Sequence, residues 1–183
     1  MGDGDSLHYG GVAIALHWLS AILVFGGFAL GLYMTGLALS PAKLRYYGRH
    51  KWIGVTVFLL AALRLAWRQV APPPPWPATM PRWQQHAARL THLALYAPML
   101  AVPLSGWIYS SATGVSVVYL GVVPLPNLVA KDRETARMLL VLHPSLNATM
   151  AALVILHVAA AVKHQWGDRD GMLARMLPRR GSR

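Results

Sequence analysis

MLLVLHPSLNATMAALVILHVAAAV, residues 138–162, is the stretch that decides the fold. A membrane-crossing helix needs ~20 mostly apolar residues, and this run meets that length without one Asp, Glu, Lys or Arg. It nevertheless carries two imidazoles, His143 and His157. An ionisable side chain inside a span is costly and by default marks function. The separation of fourteen residues corresponds to a rise of roughly 21 Å, and at roughly 100° per residue the two fall within about 40° of one helix face. Ligands that share one metal ion from one helix sit three or four residues apart, so His143 and His157 belong to two separate sites stacked along the membrane normal.

Three further apolar blocks lie upstream. The first runs from Gly11 to Met34 and has His17 as its only ionisable group. The second is bounded by Lys51 and Arg64, so a span over residues 48–67 keeps both cations near its ends, where long side chains can snorkel. The third starts near Leu90 and is placed at residues 90–112; the uncharged remainder up to Lys131, with Gly114, Gly121, Pro124 and Pro126, reads as a loop dipping near the surface. Pro41 closes the first loop, and the run Pro72–Pro75 favours extended polyproline geometry. Asp3 and Asp5 replace the positive region of a secretory signal, and no clear cleavage site follows the first block, so no signal peptide is expected.

The fold class expected is therefore an all-α membrane protein, a single four-helix domain over residues 1–183. Its composition agrees. Of 183 residues, 55% are apolar and 13% charged, with a mean hydropathy of +0.40, which excludes a disordered chain and disfavours an ordinary soluble enzyme. The 17 Lys+Arg against 6 Asp+Glu fall between and after the apolar blocks, as membrane flanks do, and no nucleic-acid partner is expected. The absence of cysteine removes disulfides, thiolate metal sites, iron–sulfur clusters and covalent haem attachment. Four spans put both termini on one side. That side carries ten Lys and Arg (Arg64, Arg68, Arg82, Arg89, Lys163, Arg169, Arg175, Arg179, Arg180, Arg183) against seven opposite (Lys43, Arg45, Arg49, Lys51, Lys131, Arg133, Arg137), which places the termini in the cytoplasm.

Eight histidines are many for so apolar a chain. His17 and His157 each lie about 9 Å in from the cytoplasmic ends of their spans, and His50 and His143 both fall near the outer ends. They sort into an inner pair and an outer pair, and two bis-imidazole sites at two depths of a four-helix bundle are what two b-type haems need. Interhelical hydrogen bonding and a small-metal site are the competing readings. Gly26, Gly27, Gly31 and Gly54 either make room for a flat macrocycle or serve close helix packing. Met34, Met99 and Met150 read as core or lipid-facing residues, and Trp52, Trp67, Trp83, Trp107 and Trp166 as an interfacial belt. His92 lies near the depth of the inner pair and is assigned a non-ligand role, in contact with a propionate or a quinone. His164 reads as an interfacial flank, and His8 and His86 as surface residues. Arg64 either snorkels to the headgroups, the favoured reading, or grips a haem propionate.

Several stretches are shared with a known family: Ala15-Leu16-His17-Trp18, Gly48-Arg49-His50-Lys51-Trp52-Ile53-Gly54, Pro81-Arg82-Trp83-Gln84, Leu90-Thr91-His92-Leu93, Pro103-Leu104-Ser105-Gly106-Trp107, and Leu156 to His164 followed by Asp168-Arg169-Asp170. In these the sequence resembles the bacterial cytochrome b-561 family over nearly its whole length. The resemblance implies a multi-pass protein of the bacterial inner (plasma) membrane. It implies two stacked b haems held by His17, His50, His143 and His157, and electron exchange with membrane quinone, ubiquinone being the expected acceptor. Some members oxidise superoxide. Pro144, directly after His143, departs from the pattern, and the helix is expected to kink there or to start afresh with Pro144 in its first turn.

The function expected is that of an oxidoreductase of the superoxide:quinone type, which transfers electrons between an outer-side donor and quinone. Superoxide is a candidate donor because Lys43, Arg45, Arg49 and Lys51 surround the outer ligand His50, and a basic funnel speeds anion encounter. The same cations equally suit propionates or lipid headgroups. The alternative function is a haem-bearing membrane anchor subunit of a dehydrogenase or hydrogenase complex.

Overall fold

The computed structural model describes residues 8–77 and 79–178. Asp3, Asp5, Arg179, Arg180 and Arg183, used above for the signal-peptide and charge arguments, lie outside the described residues. Among the described residues four helices are long and apolar enough to cross a membrane. They are α1 (Gly11–Thr35), α2 (Pro41–Val70), α3 (Arg82–Ala112) and α4 (Arg133–Val162). Helix α1 packs on α2, α2 on α3, and α3 on α4, each reversing direction. The bundle thus has a terminal end, with both termini and the α2–α3 connection, and an opposite end.

Two helices begin well before the spans expected for them. Helix α2 starts at Pro41 and not near residue 48, because the Ser40 side chain accepts a hydrogen bond from the Lys43 backbone N–H at 3.2 Å and Pro41 supplies the first-turn geometry. Helix α3 starts at Arg82, directly after Pro81, and its first two turns project beyond the apolar block. Pro98 and Pro103 lie inside α3 without ending it, as neighbouring helices allow in spanning segments. Helix α4 opens on Asp132, whose carboxylate accepts from the Thr135 N–H at 2.8 Å. Hydrogen bonds from Thr135 hold that carboxyl below its usual pKa.

Helix α4 runs without a break through Pro144, so the restart expected there does not occur. The side chains around the proline bond back to the preceding turn. Ser145 Oγ donates to the Val141 carbonyl at 2.8 Å, and Asn147 Nδ2 to the His143 carbonyl at 2.8 Å. The helix then widens into a π turn, Lys163–Asp168, and ends at Arg169 in the left-handed region (φ 53°).

The uncharged α3–α4 connection is a small ordered hairpin. Strands β1 (Val118–Tyr119) and β2 (Val123–Pro124) pair antiparallel, Val118 with Pro124 and Tyr119 with Val123. Leu120 (φ 53°) and Gly121 (φ 76°) make the turn between them. Two belt tryptophans tie this connection down: Trp52 Nε1 donates to the Val118 carbonyl at 2.7 Å and Trp107 Nε1 to the Pro126 carbonyl at 3.0 Å. We call this end of the bundle the hairpin end. At the terminal end, Trp18 Nε1 donates to the Met176 carbonyl at 2.8 Å, and the buried Arg175 guanidinium donates to the Pro75 carbonyl at 2.7 Å. The chain after α4 therefore crosses the bundle end and joins α1 to the polyproline run.

The core lies midway between the two ends. Val24 of α1, Val57 and Ala61 of α2, Met99 of α3 and Met150 of α4 form one buried cluster. Met150 is placed seven residues from both His143 and His157, about 10 Å along the helix from each. Ala61 is wholly buried, at 0% exposure, where the helices converge. Ala61→Leu should cost about 1–3 kcal/mol by overpacking, while Ala61→Gly should cost less; thermal unfolding in detergent followed by circular dichroism checks both.

Candidate functional site

The faces that meet above and below this core carry the histidines. At the terminal end the rings of His17 (α1) and His157 (α4) stand 6.2 Å apart, centre to centre. At the hairpin end those of His50 (α2) and His143 (α4) stand 6.3 Å apart. The two pairs grouped by depth in the sequence are thus the two pairs that the fold brings together, with α4 contributing one ring to each.

The spacing has a chemical meaning. A metal–imidazole bond of about 2.0 Å, plus about 1.1 Å from ring nitrogen to ring centre, sets two imidazoles on opposite sides of one metal about 6.2 Å apart, centre to centre. Both pairs match that value. His92 also reaches the terminal-end pair, with its ring 5.4 Å from that of His157. The two rings meet edge to face, closer than two imidazoles on opposite sides of one metal would stand.

Local structure supports the rings of His143 and His50. Ser105 Oγ donates its proton to the Val102 carbonyl at 2.7 Å, so its 2.9 Å contact with His143 Nδ1 requires the imidazole to donate. With the proton on Nδ1, His143 presents the lone pair of Nε2, the state a metal ligand needs. Gly106 faces the same ring: a Cβ there would come within 3.2 Å of His143 Cε1. Gly31 does the same for His50, where a Cβ would lie 3.3 Å from Cε1. Of the four glycines singled out in the sequence, Gly31 is the one at which a Cβ would meet a histidine ring. Gly27 faces Ile53, Gly54 faces Pro103, and Gly26 has open space beside it. Gly106 and Ser105 were legible only as parts of a shared stretch.

Arg64 departs from the favoured expectation. Its guanidinium does not extend to the headgroups. It turns inward, with Nη2 3.4 Å from His17 Nδ1 and Cζ 5.5 Å from the centre of the Tyr96 ring. His164 likewise is more than an interfacial flank. Its Nδ1 lies 2.6 Å from Asp170 Oδ2 and 3.3 Å from Asp168 Oδ2, and Lys163 Nζ pairs with Asp168 at 2.5 Å. His8 is half-buried, at variance with a surface assignment, whereas His86 is exposed. Met34, Met99 and Met150 are all buried in the core.

The basic residues near His50 differ among themselves. Arg45 and Arg49 are exposed, with Arg49 Cζ 6.0 Å from the Tyr46 ring centre. Lys43 is half-buried and spends its ammonium on the Leu37 carbonyl at 2.6 Å, where it closes the α1–α2 loop.

Comparison with known proteins identifies the family. The family model described as prokaryotic cytochrome b561 matches residues 8–179. The chain is 36% identical to cytochrome b561 homolog 2 of Escherichia coli (strain K12), over 95% of this chain and 93% of that protein. It is 30% identical to cytochrome b561 homolog 1 of the same organism, over 91% and 95%. A probable superoxide oxidase, CybB of Yersinia pestis, is 26% identical over 94% and 97%. Membership of this family implies haem b. With four membrane-length helices and a family match over nearly all of its length, the chain is a multi-pass membrane electron-transfer protein of the prokaryotic cytochrome b561 family.

Proposed function

We propose that the protein holds two b haems, one between His17 and His157 and one between His50 and His143, and that it passes electrons from a donor at the hairpin end to membrane quinone, with ubiquinone as acceptor. The observation that carries the reading is the ring spacing of 6.2 and 6.3 Å in pairs stacked along α4. Bound haem supplies a one-electron couple, and two imidazole ligands leave it no open position for oxygen. The protein does the rest. Ser105 fixes the tautomer and orientation of His143, and Gly31 and Gly106 leave the rings unobstructed. The apolar cluster between the pairs keeps water from both. Arg64 adds a positive charge at the terminal-end pair, and His92, in contact with His157, is a neighbour of the site and not a ligand.

The terminal end is proposed to face the cytoplasm of a bacterial inner membrane, on the Lys and Arg asymmetry. The hairpin end then faces the outside, where Arg45 and Arg49 stand exposed beside the His50 helix face. Those charges, together with the likeness to a probable superoxide oxidase, support superoxide as donor and a superoxide:quinone oxidoreductase as the activity.

Purified protein should contain two haems per chain, both extractable into acidified organic solvent because no cysteine can bind them covalently. His17→Ala and His157→Ala should each remove the terminal-end haem and spare the other, and His50→Ala and His143→Ala should do the reverse. His92→Ala should keep both. A single haem per chain, or a haem lost with His92→Ala but kept with His17→Ala, would overturn the assignment. Quantitative pyridine haemochrome spectra decide.

Arg64→Leu should lower the midpoint potential of the terminal-end haem by several tens of millivolts, because a nearby cation favours the reduced, less positive state. Redox titration of the variant checks this, and an unchanged potential would leave Arg64 no electrostatic role. Haem reduction by superoxide should slow as salt rises, since steering by exposed charges is screened over about 8 Å at physiological ionic strength. Arg45→Glu should slow it at low salt and flatten the salt dependence with both haem spectra unchanged; Lys43 is unsuitable for this test because it ties the loop. Stopped-flow at two ionic strengths measures the effect. Slow, salt-insensitive reduction that becomes fast only with a partner subunit would indicate a dehydrogenase or hydrogenase anchor instead.

A further inference from the structure

We propose that the α3–α4 hairpin is a membrane-seated strap: its turn lies in the lipid headgroup–acyl boundary at the hairpin end, and from there it holds the end of α2 that bears His50. Four observations point the same way. No Asp, Glu, Lys or Arg occurs between Arg89 and Lys131, so the absence of charge continues through the whole connection after α3 ends at Ala112. A connection bathed in water rarely lacks charge over such a length. Second, most aliphatic side chains of this connection point outward, Val117 being the buried one that seats it on the bundle. Val122 is 76% exposed, and Val115, Leu120 and Val123 are also exposed. Contiguous exposed apolar surface marks a contact with protein or lipid.

Third, the tip is built against local preference. Leu120 holds φ 53°, a left-handed position that glycine or asparagine occupies more easily. A branched apolar residue kept there, with its side chain exposed, is a site of stored strain that points to function. Fourth, the charges return abruptly at Lys131, Asp132, Arg133 and Glu134, where α4 begins. That boundary sets the edge of the aqueous phase beside the strap. The occupant favoured is lipid and not another protein, because the strap joins two spanning helices directly and its anchors, Trp52 and Trp107, are interfacial tryptophans bonded to its backbone. Its depth is shallow: a two-stranded ribbon leaves backbone groups along its edges that need water, which the hydrocarbon interior lacks.

The strap reaches the redox end of α2 through short contacts. Trp52, two residues after His50, donates to Val118. Thr56 Oγ1 donates to the Trp52 carbonyl at 2.9 Å, so the Tyr119 hydroxyl, 2.9 Å from it, must be the donor between those two. Gly121 lies against the Trp52 indole, at 3.7 Å from where its Cβ would be. Seating the turn in lipid therefore fixes α2 at the His50 level.

The test uses the absence of native cysteine. Val122→Cys and Arg133→Cys are each labelled with an environment-sensitive fluorophore, and the full chain is reconstituted into vesicles of phosphatidylethanolamine and phosphatidylglycerol. Quenchers are iodide on both faces, and nitroxides at shallow or deep acyl positions. The Val122 label should be blue-shifted and quenched several-fold more by the shallow nitroxide than by iodide, and the Arg133 label should show the opposite order. Iodide quenching of Val122 equal to that of Arg133 would overturn the proposal in favour of a water-exposed loop. Protection of Val122 from every quencher would overturn it in favour of a protein partner or second copy. Stronger quenching by the deep nitroxide would overturn the shallow placement. Val122 is largely exposed, so its replacement leaves the fold intact, and the result does not depend on what the histidines bind.

Discussion

An imidazole inside hydrocarbon is costly to leave unmet, and the bundle gathers its four into two facing pairs, with His50 Nδ1 buried and without a hydrogen bond among the described residues. The cost of leaving a polar ring unmet in lipid is several kcal/mol, larger than any single packing preference between apolar helices. Helix α4 meets this constraint twice, with His143 toward α2 and His157 toward α1. Its rotation about its own axis is thereby set, and with it the faces that α1 and α2 must present. Two further features follow: glycine where a ring needs space and serine where a ring needs an acceptor.

The division of labour along the normal is simple. Two polar layers, each built on a histidine pair, enclose one apolar layer of valine, alanine and methionine. Beyond the polar layers each end is closed differently. The terminal end is tied by Arg175, Trp18 and the polyproline run, the hairpin end by tryptophan and tyrosine contacts to the strap. In both closures the tryptophan and arginine donors bond to backbone carbonyls, and at the hairpin end a Tyr119–Thr56 hydroxyl contact is added.

How much of this could be read in the sequence depended on the range of the signal. The four spans and the grouping of His17 with His157 and His50 with His143 required only composition and rise per residue, quantities that one helix carries alone. The early start of α2 was written in Ser40-Pro41, but charge counting obscured it, because a helix can extend past the membrane with polar turns. For Arg64, snorkelling and inward pairing differ in side-chain direction, not in position, and the groups that draw it toward His17 and Tyr96 come from other helices. Ser105, Gly106 and the contact of His92 with His157 depend on how α3 is rotated against α4, and no local pattern encodes that angle. Pro144 was read as a kink or a fresh start, and of these the fresh start does not occur, because the tertiary frame and the back-bonding of Ser145 and Asn147 carry the helix through it.

The apolar layer has one more consequence. Every side chain of the buried cluster and of the residues packed on it is aliphatic, aromatic or a thioether. Protons travel along hydroxyls, carboxylates, imidazoles and ordered water; the cluster itself offers none of them, and Ser20, Thr56 and Asn147 stand only at its borders. Electrons need no such stepping stones across a thin dry gap. If electrons move between the two histidine layers, the dry cluster between them favours their passage over that of protons. A proton taken up or released in the reaction is then exchanged most readily with the water on its own side of the membrane.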